Sequence, residues 1–265
     1  MVDVPAGHPR AESLRIREML VREFERGVVV PQGLIAQGRG EAFDYLIGEE
    51  TTMPALEAIE AAAATLLLAR HPVISVNGNV AALAVTDVVA LAREVDAEIE
   101  VNLFHRTRER ELAIKDLVEK AGGKKVLGVG RDASTMIPEL SSKRRRVDPQ
   151  GIYTADVVLV PLEDGDRTEA LAKMGKTVIA IDLNPLSRTA TQATIIIVDN
   201  VVRALPLLVK EARRLKGKGD RALKAIIQGF DNDKNLSLCL QHIIQRLKEL
   251  SASRLVIERK LLSRL

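Results

Sequence analysis

The chain has 265 residues, a formal net charge of +3, 46% hydrophobic residues, one cysteine and four histidines. That length supports a substantial core, either one large α/β domain or two small ones. The single Cys239 excludes an internal disulfide framework and, with so few histidines, argues against a Cys/His zinc site; it reads as a buried helix residue. No apolar run approaches the roughly 20 residues that span a bilayer, and the start MVDVPAGHPR is not a basic-then-apolar leader, so a cytoplasmic protein without a membrane partner is expected.

Charge is unevenly spread. Residues 1–200 hold 24 Lys+Arg against 30 Asp+Glu, whereas residues 201–265 hold 15 against 6. The basic tail reads as amphipathic helices with one aromatic, Phe230, and no stacking platform, so a surface facing solvent or a second subunit is expected rather than a nucleic-acid site. With no Trp and two Tyr, the core must be built from Val, Ile, Leu and Ala, which suits parallel strands buried on both faces.

In chain order, helical periodicity covers about 10–26 and 53–69, joined by a Gly-rich connector, PQGLIAQGRGEAFDYLIGEETT. Strand-like runs follow at about 73–77, 98–104, 125–129, 156–161, 177–183 and 194–199. Helical segments at 80–95, 107–121 and 167–175 alternate with them, and 201–215 docks the last strand. Repeated strand, helix, strand predicts parallel βαβ units in a Rossmann-like sheet flanked by helices, with N-terminal helices before it. Residues 131–155 lack a period and read as a functional loop or a partly disordered segment. KGKGD at 216–220 reads as a linker to a helical extension, so the expected units are a ligand-binding domain at 1–216 and a tail at 217–265.

In such sheets ligands bind beyond the carboxyl ends of the strands. That rule gathers Glu163, Asp164, Asp166 and Arg167, then Asp182, Asn184 and Arg188, then Asp199 and Asn200, on one edge. The carboxylates suit Mg²⁺ or an ammonium group, and the arginines suit phosphate or carboxylate. Asn77-Gly78-Asn79, between a strand and a helix, reads equally as an anion site at a helix start and as a tight turn with an Asn cap. Arg39, between two glycines, reads as a phosphate ligand on a mobile loop. In FHRTRER at 104–110, His105 and Arg106 fall at the crevice, and Arg108 and Arg110 on a solvated helix face. SKRRR at 142–146 is a phosphate clasp or a solvated loop. Neither G-x-G-x-x-G nor G-x-x-x-x-G-K-[ST] occurs; Gly128-Val129-Gly130 lacks the third glycine and the following helix.

HPR with Ser-Leu and Arg-Glu at 8–18, GRGEAFDYLIGE at 38–49, VNGNVAAL, NLFHR, VDPQGIYTADVVLVPLEDGDRTEALAKMGK, IDLNPLSRTA and IVDN together resemble the archaeal 4-phosphopantoate–β-alanine ligases, or phosphopantothenate synthetases, over about 8–215. The resemblance implies a Rossmann-like homodimer that joins 4-phosphopantoate to β-alanine in coenzyme A biosynthesis, cleaving ATP to AMP and pyrophosphate with Mg²⁺. It also implies ATP contacts at Arg17, Arg39, Asp182, Leu183, Asn184, Arg188, Thr189, Asp199 and Asn200. Gln37 stands where the family usually has histidine, so a proton-transfer role of that histidine has no counterpart here.

On this reading Arg39, Asp164, Asp166 and His105 are the candidate catalytic residues, Asp164 or Asp166 receiving the amine's proton. Asn77, Gly78, Asn79 and Arg106 are the candidate substrate ligands. Two rivals stand beside it: an NAD(P)-dependent oxidoreductase with Asp182 on the ribose, and a nucleic-acid-binding protein using the tail.

Overall fold

The computed structural model describes residues 10–138 and 140–262, with side chains through 253; His8 and Pro9 of the first family motif lie outside the described residues. In order come helices α1 (Ala11–Glu25), α2 (Pro31–Ile47) and α3 (Met53–Leu68), then strand β1 (Pro72–Val76), α4 (Gly78–Val95), β2 (Glu98–Val101), α5 (Arg108–Lys120) and β3 (Val126–Leu127). A hairpin of β4 (Thr135–Met136) and β5 (Arg146–Val147) follows, then β6 (Val157–Pro161), α6 (Gly165–Lys173), β7 (Thr177–Ile181), α7 (Arg188–Gln192) and β8 (Ile195–Ile197). Helices α8 (Val201–Leu215), α9 (Asp220–Gly229) and α10 (Asn232–Leu262) close the chain.

The six predicted strands form one sheet in the order β3–β2–β1–β6–β7–β8, with every pair parallel. Alternate residues serve two cores. Ile74, Val76, Leu159, Ile179 and Ile197 face a layer containing α3, α4 and α8. Val73, Val158, Val160, Val178 and Ile196 face Leu171 of α6, Ala190 of α7 and Ile137, Val147 and Ile152 of the 131–155 segment. Such double-sided burial explains the near-continuous β-branched runs.

Three expectations change. The glycine-rich connector is the helix α2: Pro31 opens it and Gly48, at φ 113°, ends it in the left-handed region. Each interior glycine costs a helix up to about 1 kcal/mol relative to alanine, so propensity alone misleads here. Packing wins. A Cβ on Gly33 would collide with the Asn79 amide oxygen, so this glycine seats α2 against the sheet edge, whereas one on Gly40 would make an ordinary contact with Leu183 at 3.5 Å.

The described residues of the 131–155 segment are tied to the sheet. Asn102 donates to the carbonyls of Arg144 and Arg146, each at 3.1 Å, and the buried Glu100 accepts the amides of Asp148 at 3.0 Å and Ile152 at 2.6 Å. The tail, finally, is not a separate layer. Leu223 of α9 joins one core, and Leu236, Cys239 and Ile243 of α10 join the other, Cys239 being buried as expected. Asn235 donates to the Pro54 carbonyl at 2.8 Å, and the His242 ring sits 2.8 Å from the Ile47 carbonyl oxygen. No helix among the described residues is long and apolar enough to cross a membrane.

Burial pushes the Glu100 carboxyl up to about 7 from 4.5, against the opposing pull of its two amide donors and of Arg167. A carboxyl raised in the folded state favours folding below its unfolded value, and that contribution is lost as the pH rises toward 7. The shift is worth roughly 3 kcal/mol. Thermal unfolding should therefore show a midpoint that falls between about pH 4.5 and 7, and Glu100→Gln should flatten that part of the curve. A slope unchanged by the substitution would mean that Glu100 titrates normally.

Candidate active site

The order in which the strands are connected reverses between β1 and β6. The β1 end leads into α4 on one face of the sheet and the β6 end into α6 on the other, so the carboxyl edge opens there into a cavity of about 620 Å³. Its far wall is α2, which presents Gln32, Gly33, Ala36, Gln37, Arg39, Gly40 and Phe43 along one helical face.

Asn77 sets the gap. Its side chain caps α4 by accepting the Val80 amide at 3.1 Å and donates across the switch to the carbonyls of Pro161 at 3.1 Å and Leu162 at 3.0 Å. Leu162 has φ 54°, a left-handed conformation rare for leucine, and the Asn77 bond holds its carbonyl. Asn79 donates to the Gly33 carbonyl at 2.8 Å. The two asparagine side chains thus serve the scaffold, while Gly78 and Asn79 line the cavity at the first turn of α4, whose backbone amides have no intrahelical acceptor.

LEDGDRTEAL folds into a charge cluster. Glu163 is buried and clamped by Arg144 on one oxygen and Arg167 on the other, while Arg144 also reaches Asp164 at 3.2 Å. Asp164 lines the cavity with its side chain 47% exposed, and partial desolvation by the cleft walls raises its pKa above the usual carboxylate value, with Arg144 opposing. Asp166 is exposed, accepts its neighbour Arg167's amide at 2.9 Å and does not line the cavity.

After β7, Asp182 accepts the Ser187 hydroxyl at 2.6 Å and the Asn184 amide at 3.0 Å. Its pKa too is raised by burial, with Arg39 among the groups lowering it. Ser187 caps α7. Arg188 pairs with Glu169 at the cavity rim, and Thr189 donates to the Glu163 carbonyl at 2.8 Å, tying this turn to the cluster.

The cavity therefore gathers Arg39, Asn77, Gly78, Asn79, His105, Asp164, Asp182, Leu183, Asn184, Arg188 and Thr189 of the predicted set. It does not gather five others. Arg106 is buried, 3.1 Å from Glu111 and donating to the Val101 and Arg146 carbonyls, because it braces the hairpin rather than facing a ligand. Arg17 lies on the surface, hydrogen-bonded to both oxygens of Glu41. Asp199 and Asn200 join a buried network with Thr51, Asp44 and Arg203 that fastens α2 to α8, and burial raises the Asp199 pKa. Asp166 is the fifth.

Arg110 is a correction in the opposite direction. It turns inward, donating to the Val28 carbonyl at 2.8 Å and to that of His105, and it lines the cavity. Arg144, one of two open readings of the basic cluster, proves nearly buried and cavity-lining. Their signal was present as Arg-rich sequence, but which arginine points inward depends on the ends of α5 and of the hairpin.

An open parallel α/β sheet that draws four arginines, the start of a long helix and two raised-pKa carboxyls into one cleft defines a Rossmann-like protein for anionic ligands. Residues 54–246 match the family model described as phosphopantothenate/pantothenate synthetase, and the chain belongs to that family. It is similar to proteins named 4-phosphopantoate–β-alanine ligase: 55% identical to that of Methanosarcina mazei, over 95% of this chain and 98% of that one. Identity to the Thermococcus kodakarensis protein is 52%, over 95% and 96%, and to that of Methanospirillum hungatei 54%, over 76% and 82%.

Gly78 also has a packing role. A Cβ there would collide with the Val28 carbonyl and sit 2.8 Å from the Arg110 guanidinium, so the glycine is required by packing before any ligand arrives. Gly78→Ala should destabilise the ligand-free protein by about 1–3 kcal/mol. A calorimetric unfolding midpoint equal to that of wild type would show that the 28–30 turn yields freely.

Proposed function

We propose that this protein is an ATP-dependent 4-phosphopantoate–β-alanine ligase of coenzyme A biosynthesis, producing 4′-phosphopantothenate, AMP and pyrophosphate through an acyl adenylate. The observation that carries this reading is one cleft lined by Arg39, Arg110, Arg144 and Arg188, with Asp164 on the same wall 3.2 Å from Arg144. A carboxylate attacking the α-phosphate of ATP brings anions together, and fixed guanidinium groups offset that repulsion where it develops.

The nucleotide is assigned to the β7–α7 side, where Asp182, Leu183, Asn184, Arg188 and Thr189 line the wall with Phe43. The substrate phosphate is assigned to the α4 start, beside Arg110 and His105, where backbone amides and a cation suit an anion. The reacting carboxylate then lies between, near Arg39 and Arg144. In the second step the β-alanine nitrogen attacks the acyl carbon and AMP leaves with the bonding pair. The nitrogen's proton passes to Asp164, whose burial-raised pKa makes it a better acceptor than an ordinary carboxylate.

Among the described residues no group of three His, Cys, Asp or Glu side chains could hold a metal. Mg²⁺ fits as the nucleotide's own counter-ion, bound by phosphates and at most one carboxylate such as Asp164 or Asp182. Homodimerisation is part of the proposal: α2 exposes Ile35 and Tyr45, and α10 exposes Ile244, Leu247 and Leu250, surfaces a second copy would cover. A light-scattering mass of one chain would remove it. A cytoplasmic site of action accompanies this reading.

The experiment is chromatography of nucleotide products with all three substrates present. AMP and pyrophosphate should form in step with phosphopantothenate, and in the same assay Asp164→Asn should slow turnover by about a hundredfold or more. Stoichiometric ADP would contradict the adenylate, and wild-type turnover in Asp164→Asn would remove that residue as the proton acceptor.

A further inference from the structure

Arg167 is a fully buried arginine with no face on the cavity. It donates to the Ser75 hydroxyl of β1 at 3.1 Å and to Glu163, and its Nε and Nη2 have no hydrogen-bond partner among the described residues. Beneath it the register pairs Ser75 with Glu100, the buried carboxyl that anchors the residues following the hairpin. Above it, Glu163 offers its second oxygen to Arg144, which enters the cavity on a backbone held by Asn102.

A buried ion pair is seldom more stabilising than apolar side chains of the same volume, because both charges are desolvated. Stability therefore does not explain why the sheet's carboxyl edge carries one at its centre. The geometry supplies another reason. Arg167 takes one Glu163 oxygen while the other accepts from Arg144 and from the Asp164 amide at 2.8 Å, so the Arg167 bond fixes the orientation in which Glu163 meets Arg144.

We propose that Arg167 is a positioning residue which, through Glu163, aims the Arg144 guanidinium at the anionic acid substrate in the cleft. This rests on the ligase reading above, and it adds a residue that itself touches no substrate. Arg144 lies at the β2 and β6 ends, away from the β7–α7 wall assigned to the nucleotide, so the effect should fall on the phosphorylated acid rather than on ATP.

The test is a kinetic double-mutant cycle on the full chain with Arg167→Lys, Arg144→Ala and the pair, phosphopantoate being the varied substrate. Lysine keeps the buried charge but loses the planar fork. Arg144→Ala should lower kcat/KM for phosphopantoate more than tenfold and Arg167→Lys about tenfold, with the KM for ATP within twofold of wild type. The pair should be no worse than Arg144→Ala alone, because Arg167 acts only through Arg144. Multiplying effects, wild-type kinetics in Arg167→Lys, or an equal rise in KM for all substrates would overturn the proposal. If the lysine variant does not fold, Glu163→Gln takes its place in the same cycle with the same expected non-additivity. A wild-type protein with no ligase turnover would instead refute the functional reading, a result distinct from any of these.

Discussion

Everything at the active edge depends on one side chain spanning a divergence. Parallel strands β1 and β6 are neighbours, but their chains leave toward opposite faces of the sheet, and the gap between them must be held without a backbone ladder. Asn77 does this with three hydrogen bonds, capping α4 with its oxygen and binding two β6-end carbonyls with its nitrogen. The same contacts hold the left-handed Leu162, after which the chain presents Glu163 and Asp164. An asparagine supplies two donors and an acceptor at once, whereas a serine has one donor and an ionised aspartate none.

Glycine and buried charge complete the cleft from either side. Gly33 lets a helix approach a sheet edge closely enough to form a wall, and Gly165 lets α6 begin with a hypothetical Cβ position only 2.8 Å from Arg188 Cγ. On the other side, Arg144, Glu163 and Arg167 form a ladder of alternating charges from cavity to sheet interior, above the raised-pKa Glu100 carboxyl. Removing one member would leave a neighbour's charge uncompensated in a poorly hydrated place, so the ladder is rigid by necessity. Rigidity of that kind suits a site that must face two anionic substrates with little reorganisation.

Much of this was legible beforehand. The six β-branched runs announced the sheet, and the strand-end rule placed Asp164, Asp182, Asn184 and Arg188 in one cleft before any coordinates. Helix α2 was not legible, because its glycines answer to neighbours far away in sequence, and only Pro31 and Gly48 hinted at its ends. Arg106 and Arg110 exchanged roles for a similar reason: four residues apart, one meets Glu111 and the other the Val28 carbonyl, and neither partner is marked by local pattern. Asp199 and Asn200 share the correct edge, yet Arg203 and Asp44 engage them in holding α2 to α8.

On the proposed reading, nucleotide and phosphorylated acid should occupy opposite sides of the β1–β6 cleft. The most direct measurement is a crystal structure with a non-hydrolysable ATP analogue and 4-phosphopantoate bound. The account predicts the substrate phosphate on the amides of Gly78 and Asn79 beside Arg110, and the nucleotide along Asp182 to Thr189. A nucleotide seated instead against Asp199, Asn200 and Arg203, with the cleft empty, would contradict it.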